Sequence, residues 1–222
     1  MKEIYLDHAS TTYVRDEVLG IMNKYFQDEY GNPGSFHTIG LRPKRAMAKA
    51  RELVRDIINA KRVEEIIFTG SGTESVNLAI KGITEKYDTG HIIISTIEHE
   101  AVTETLYYLE HTKGWDVTKV PVDKYGLVNP KDVEDAIRPD TKLVTIMYAN
   151  NEIGTIQPIE QIGKICRKKK VLFHTDACQA GGVLDLDVEK LNVDMMTLNG
   201  SKIYGPKGIG MLYKKNTLKL VP

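Results

Sequence analysis

Residues 66 to 74 read Ile66-Ile67-Phe68-Thr69-Gly70-Ser71-Gly72-Thr73-Glu74. Four apolar or β-branched residues end on a glycine turn. A helical pattern follows at once, with Val76, Ala79, Ile80 and Ile83 recurring at three- and four-residue spacing. Ser71 and Glu74 stand at capping-box spacing at the start of that helix. A strand that turns directly into a helix is half of a βα unit, and this decides the fold class. Backbone N–H groups at such a turn converge on an anion, and the helix dipole assists. Ser71 and Thr73 add hydroxyl donors. No lysine follows the last glycine and the spacing is not G-x-G-x-x-G, so neither nucleotide fingerprint is present. Taken alone, Gly70 and Gly72 also fit an ordinary βα turn.

Outward from this turn, the same alternation continues. Strands are expected at 66–69, 91–95, 117–120, 143–148, 171–174, 193–198 and 210–213. Most are continuous apolar runs, the pattern of strands covered on both faces of a mostly parallel sheet. Helices are expected over 43–59, with Pro43 in the first turn, and over 101–111. Asn129-Pro130 and Gln157-Pro158 open two more, the second running to the basic stop Arg167-Lys168-Lys169-Lys170. The result is an α/β layered domain. Residues 1–40, rich in turn formers such as Gly31-Asn32-Pro33-Gly34, read as an irregular wrapping segment. Residues 41–222 read as the main domain.

The 222 residues carry 30 basic and 30 acidic side chains, so the net charge is zero. That balance argues against a nucleic-acid partner. No run approaches the apolar length of a membrane span, and no signal peptide is read at the N-terminus. Cys166 and Cys178 make no disulfide framework, which points to a reducing, cytoplasmic setting. No metal site is expected, because His8, His37 and His174 lack partners at ligand spacing.

Candidate chemistry collects after the strands, where open α/β sheets bind ligands. His99 follows the 91–95 strand and suits ring stacking or proton transfer. Asn150-Asn151 follow the 143–148 strand and suit donation to a phenolate oxygen or an Asn-rich turn. Asp176 suits either an N-cap or a charged hydrogen bond to a cationic ring nitrogen, which keeps an electron-sink ring protonated. Gln179 faces the same way if Asp176 opens a helical turn. Lys202 sits in Asn199-Gly200-Ser201-Lys202-Ile203-Tyr204-Gly205-Pro206-Lys207-Gly208, a tight glycine-rich connection fit to hold a Schiff-base lysine. Lys207 competes with it, and composition does not choose between them.

In this order, the segments resemble the class V aminotransferase superfamily, and within it the cysteine desulfurases of the nitrogen-fixation and iron–sulfur assembly type. The resemblance runs from Tyr5-Leu6-Asp7-His8-Ala9-Ser10-Thr11-Thr12 and Gly31-Asn32-Pro33 through Glu98-His99, Asn150 to Gly154 and Asp176-Ala177-Cys178-Gln179 to Ser201-Lys202. It implies the large domain of a pyridoxal 5'-phosphate (PLP) fold-type-I protein: a three-layer α/β/α domain with a seven-stranded, mostly parallel sheet. It implies that Gly72 and Thr73 bind the phosphate and that His99 stacks over the ring. Asn151, rather than Asn150, and Gln179 would meet the ring oxygen. Asp176 would pair with the ring nitrogen. Lys202 would be the Schiff-base lysine, in preference to Lys207, and would move protons at the substrate carbon. L-cysteine would become L-alanine, with sulfur passed to a protein cysteine as persulfide. A homodimer and a sulfur-acceptor or scaffold protein are the implied partners.

Two positions depart from the family pattern. Ser201 stands where a histidine is common and Asn199 where a serine is expected. Both would still face the phosphate as uncharged donors, and a weaker or rearranged phosphate cup is expected. Family members are much longer, so the smaller domain, the loop bearing the sulfur-accepting cysteine and the carboxylate-binding arginine are expected beyond Pro222. Cys166 is expected in the core, and Cys178 does not match the acceptor position. Two alternatives remain: a non-catalytic PLP- or partner-binding remnant, and another class V enzyme such as a selenocysteine lyase.

Overall fold

The computed structural model describes residues 3–221. Seven strands form one sheet: β1 (Ile66–Thr69), β2 (His91–Ser95), β3 (Asp116–Val120), β4 (Thr141–Thr145), β5 (Leu172–Asp176), β6 (Met195–Asn199) and β7 (Gly210–Lys214). Their spatial order is β1-β7-β6-β5-β4-β2-β3. All pairings are parallel except those of β7, which runs antiparallel to both β1 and β6. The helices are α1 (Asp16–Gln27), α2 (Thr38–Ile57), α3 (Gly72–Thr84), α4 (Glu100–Lys113), α5 (Pro130–Ala136), α6 (Ile159–Lys169) and α7 (Val188–Leu191).

The two faces of the sheet explain why the strands read as unbroken apolar runs. Ile92, Ile94, Leu143, Met195 and Leu212 pack with Val76, Ile80 and Ile83 of α3 and Val102, Leu106 and Leu109 of α4. Their strand neighbours Ile93, Val144, Met196, Met211 and Tyr213 face the other way, toward Val133 of α5, Ile162 and Cys166 of α6 and Leu191 of α7. Alternate residues thus enter two separate cores, and each must be apolar. The three-layer α/β/α architecture and the mostly parallel seven-stranded sheet match the expectation. Cys166 is core as expected, and burial pushes its thiol up to about 12.

Several local expectations are corrected. α2 begins at Thr38, not Pro43, because His37 caps it: its Nδ1 accepts from the Gly40 N–H at 3.3 Å. Pro43 therefore lies inside the helix. The apolar side of α2 is only partly covered: Ile58 at its end is fully buried and Val54 packs on the core, while Ile57 is 70% and Leu53 52% exposed. Residues 1–40 are not wholly irregular, since α1 falls among them, although none of its residues is buried. Gln157-Pro158 does precede α6, which starts at Ile159, but Gln157 has a further part. It is buried, its Oε1 accepting from Val128 N at 2.8 Å and its Nε2 donating to the Gly126 carbonyl at 2.7 Å. Asn129 caps α5 with Pro130 behind it, as the dipeptide predicts.

Candidate functional site

β7 opposes its neighbours, so β1, β6, β5, β4 and β2 all aim their C-terminal ends at one edge of the sheet. Loops from these five ends, with residues 7–10, enclose a cavity of about 480 Å³. All nine residues singled out from the sequence line it: Gly72, Thr73, His99, Asn151, Asp176, Gln179, Asn199, Ser201 and Lys202.

The β1–α3 turn forms one wall. Ser71 Oγ accepts from Glu74 N at 3.0 Å and so caps α3. Glu74 Oε2 accepts from Gly70 N at 2.8 Å, one residue before the position that a full capping box uses. Gly72 and Thr73 follow at the helix head, where backbone N–H groups lack intrahelical acceptors. A Cβ on Gly72 would stand 2.9 Å from Cys178 Sγ and 3.4 Å from Asn199 Nδ2, so glycine keeps this wall open. Gly210 allows the whole turn to dock, because a Cβ there would come 2.3 Å from the Ser71 carbonyl.

After β2, His99 caps α4 by accepting the Ala101 N–H on Nδ1 at 3.0 Å. In the neutral ring that bond places the proton on Nε2. After β4, the two asparagines separate. Asn150 is buried and braces its own turn: its Oδ1 accepts from Glu152 N and Ile153 N at 2.9 and 3.0 Å, and its Nδ2 donates to the Ile97 carbonyl at 3.1 Å. Asn151 lines the cavity instead, its Nδ2 donating to Glu152 Oε1 at 2.7 Å.

At the end of β5, Asp176 is buried and its Oδ1 accepts from Cys178 N at 3.0 Å. It therefore does open a turn, with Gly181 N donating to the Ala177 carbonyl at 3.1 Å, while still facing the cavity. Gln179 shares that face and donates from Nε2 to the Ala9 carbonyl at 2.9 Å. The Cys178 thiol is raised well above its ordinary range by burial and by the adjoining Asp176 carboxylate. Below Asp176 on the same strand, His174 spans the sheet: Nδ1 meets Thr145 Oγ1 at 2.7 Å and Nε2 meets Thr197 Oγ1 at 3.0 Å. Burial pushes this histidine down to about 4, with Asp176 opposing.

β6 leads into Asn199, Ser201 and Lys202. Ser201 donates from both its backbone N and its Oγ to Asn199 Oδ1, each at 3.2 Å. The hydroxyl is thus engaged with Asn199. Lys202 reaches residues 9–10, its Nζ donating to the Ala9 carbonyl at 2.7 Å and the Ser10 carbonyl at 2.5 Å. Lys207 is exposed and lies outside the cavity.

Sequence reasoning missed Asp7, Ala9, Ser10, Met147 and Cys178 on the cavity wall, and Glu98 behind it. The Tyr5 to Thr12 segment gave one signal, a threonine that ends up buried: Thr12 donates to the Ser201 carbonyl at 3.0 Å and accepts from Tyr204 N at 2.8 Å. That clasp holds the segment across the site.

Residues 4–220 match the family described as Aminotransferase class-V. A cysteine desulfurase IscS of Methanosarcina thermophila is 49% identical over 223 residues, covering 100% of this chain and 55% of that protein. Its counterpart from Clostridium botulinum is 45% identical over 221 residues, 99% of this chain and 55% of that one. Among solved structures, SspA in complex with cysteine superposes with a TM-score of 0.96 at 43% identity, covering 99% of this chain and 64% of the other. A NifS-like protein gives 0.96 at 40% identity, covering 100% and 61%. The chain thus spans little more than half the length of the curated relatives it matches. With a family match over nearly its whole length and the large-domain fold in place, the chain belongs to the class V aminotransferases.

Proposed function

We propose that this chain carries the cofactor half-site of a PLP-dependent cysteine desulfurase. The observation that carries the reading is the single cavity that joins Lys202 to Asp176, His99, Asn151, Gln179 and the Gly72-Thr73 helix head. The residues fit PLP on chemical grounds. The Gly72 wall has no room for a Cβ and is lined by an amide and by helix-head N–H groups, a cradle for phosphate. Asp176 offers a buried carboxylate for a ring nitrogen, and Asn151 and Gln179 offer amides for a ring oxygen. PLP, when bound, supplies an electron sink at the substrate carbon.

In this reading Lys202 is the point of covalent attachment and the proton carrier at the substrate carbon. His99, with its proton on Nε2 in the neutral ring, would stack over the ring and donate toward the substrate. Asp176 would pair with the ring nitrogen and keep it protonated. Cysteine is the substrate proposed, since the relatives above are named desulfurases and one solved relative holds cysteine. Its products would be alanine and a persulfide on an acceptor thiol. A homodimer and a sulfur-accepting or scaffold protein complete the proposal. Exposed apolar side chains such as Leu6 (84%) and Phe36 (90%) give this chain surface for a partner or for further chain to cover.

The test is to supply PLP, L-cysteine and a thiol reductant, and to measure alanine and sulfide together. Equal release of both supports the desulfurase reading. PLP binding with no alanine supports the remnant reading instead, and turnover of selenocysteine alone supports a lyase.

A further inference from the structure

Glu98 precedes His99; the residue is half-buried, with its carboxyl turned inward beneath the cavity edge. Ser95 Oγ donates to Glu98 Oε1 at 2.5 Å, and Met147 N donates to the same oxygen at 3.0 Å. Oε2 receives only the second limb of the Met147 bond, at 3.1 Å. The Met147 N–H is shared between the two oxygens and Ser95 adds a donor to Oε1 alone, so Oε2 is the less satisfied oxygen and the one open to a proton. Burial pushes the carboxyl up to about 8, the bonds from Ser95 and Met147 oppose this, and the Asp176 carboxylate adds to it. Its titratable and charged neighbours are Asp176 from β5, His99 and Glu100 from its own loop and α4, and Glu152 from the loop after β4. Asp176, Glu100 and Glu152 are acids that disfavour its ionisation, and His99 turns its Nδ1 to Ala101 N.

The same carboxyl is a mechanical link. Through Met147 N it ties the loop after β2 to the end of β4, and the Asn150 bond to the Ile97 carbonyl makes a second tie beside it. His99 stands at the end of the tied loop and Asn151 at the end of the other. We propose that Glu98 is a positioning residue: its carboxyl, in the neutral form, bolts the His99 loop to the end of β4 and leaves the negative charge of the floor to Asp176. The consequence for cofactor binding rests on the PLP reading above. The link and its protonation do not.

The variants are Glu98→Gln, which keeps a carbonyl-type acceptor, and Glu98→Ala, which removes it. Three measurements decide. At neutral pH, Glu98→Ala weakens PLP binding by about tenfold or more while Glu98→Gln stays within about threefold of wild type. Without PLP, the Met147 amide exchanges faster in Glu98→Ala and remains protected in Glu98→Gln. Also without PLP, the melting midpoint of Glu98→Gln relative to wild type climbs as pH rises from about 5 to about 8, because over that range the unfolded wild type is ionised at Glu98 and must take up a proton to fold. Wild-type-like exchange in Glu98→Ala overturns the link. A Glu98→Gln variant as poor as Glu98→Ala, or a pH-independent difference in midpoint, overturns the neutral carboxyl. Failure of every form to bind PLP, with the exchange and melting results as expected, overturns the PLP reading and leaves the link standing. If Glu98→Ala does not fold, the melting difference of Glu98→Gln still decides the protonation, and protection of its Met147 amide still decides the link.

Discussion

The Nζ of Lys202 stands 2.5 Å from the carbonyl oxygen of Ser10, 192 residues earlier in the chain. A second carbonyl, that of Ala9, takes another of its protons at 2.7 Å. The lysine proposed to hold the cofactor therefore also anchors the segment that crosses the cavity. That segment is independently clasped at Thr12, so it can stay in place when the amine is engaged elsewhere.

Thr12→Val tests the clasp. It deletes a buried hydroxyl and leaves Tyr204 N without its acceptor. The expected loss is about 1–3 kcal/mol of stability in urea unfolding, the cost of an unsatisfied buried group. PLP affinity should fall with it, because Lys202 lies between the two clasped residues.

His174 sets an acid limit. Its folded-state value, about 4, lies below the ordinary 6.5, so its contribution is present above pH 6.5 and is lost as pH falls toward 4. The loss should be on the order of 3 kcal/mol. Unfolding in urea at neutral pH and near pH 4 measures it. His174→Gln should be less stable at neutral pH yet show a correspondingly smaller acid loss. An unchanged acid loss would show that other groups set the limit.

Asn199 and Ser201 should matter unequally. Ser201 spends its hydroxyl on Asn199 Oδ1, while Asn199 Nδ2 faces Gly72. Asn199→Ala is expected to raise the Kd for PLP by about tenfold, and Ser201→Ala by about threefold or less. Fluorescence titration with PLP reads both. The opposite ranking would mean that Ser201 turns to the phosphate itself.

Gly72→Ala should be worse than either for PLP, because its Cβ meets Cys178 Sγ at 2.9 Å. Gly72→Ala with Cys178→Ala should recover part of the affinity in the same titration. No recovery would place the obstruction at Asn199, whose Cβ is 3.3 Å away.

Much of this was legible in the sequence because both sheet faces are covered. Runs such as Ile92-Ile93-Ile94 have no polar side to hide, so they announce themselves as central strands. Direction was not legible. Antiparallel β7 is as apolar as its parallel neighbours, and only its pairing with β1 and β6 reveals it. Strand ends slipped because pairing fades on one side only: Ile146 N and Tyr148 N still donate to the β5 carbonyls of His174 and Asp176, while Met147 N turns to Glu98 instead of to β2. Pro43 misled because a proline at a helix start is common, whereas here His37 supplies the cap upstream. The strand-end residues of the site were found because that edge is where such sheets bind ligands. Glu98 was not, because a glutamate beside a loop histidine reads as surface until Met147 N is seen to close on it.

The most direct measurement is borohydride reduction of the PLP-saturated chain, followed by mapping of the modified peptide. The account predicts a visible absorption band that disappears on reduction, and a single stable pyridoxyl adduct on Lys202. No band at saturating PLP, or an adduct on exposed Lys207 with Lys202 unmodified, would contradict it.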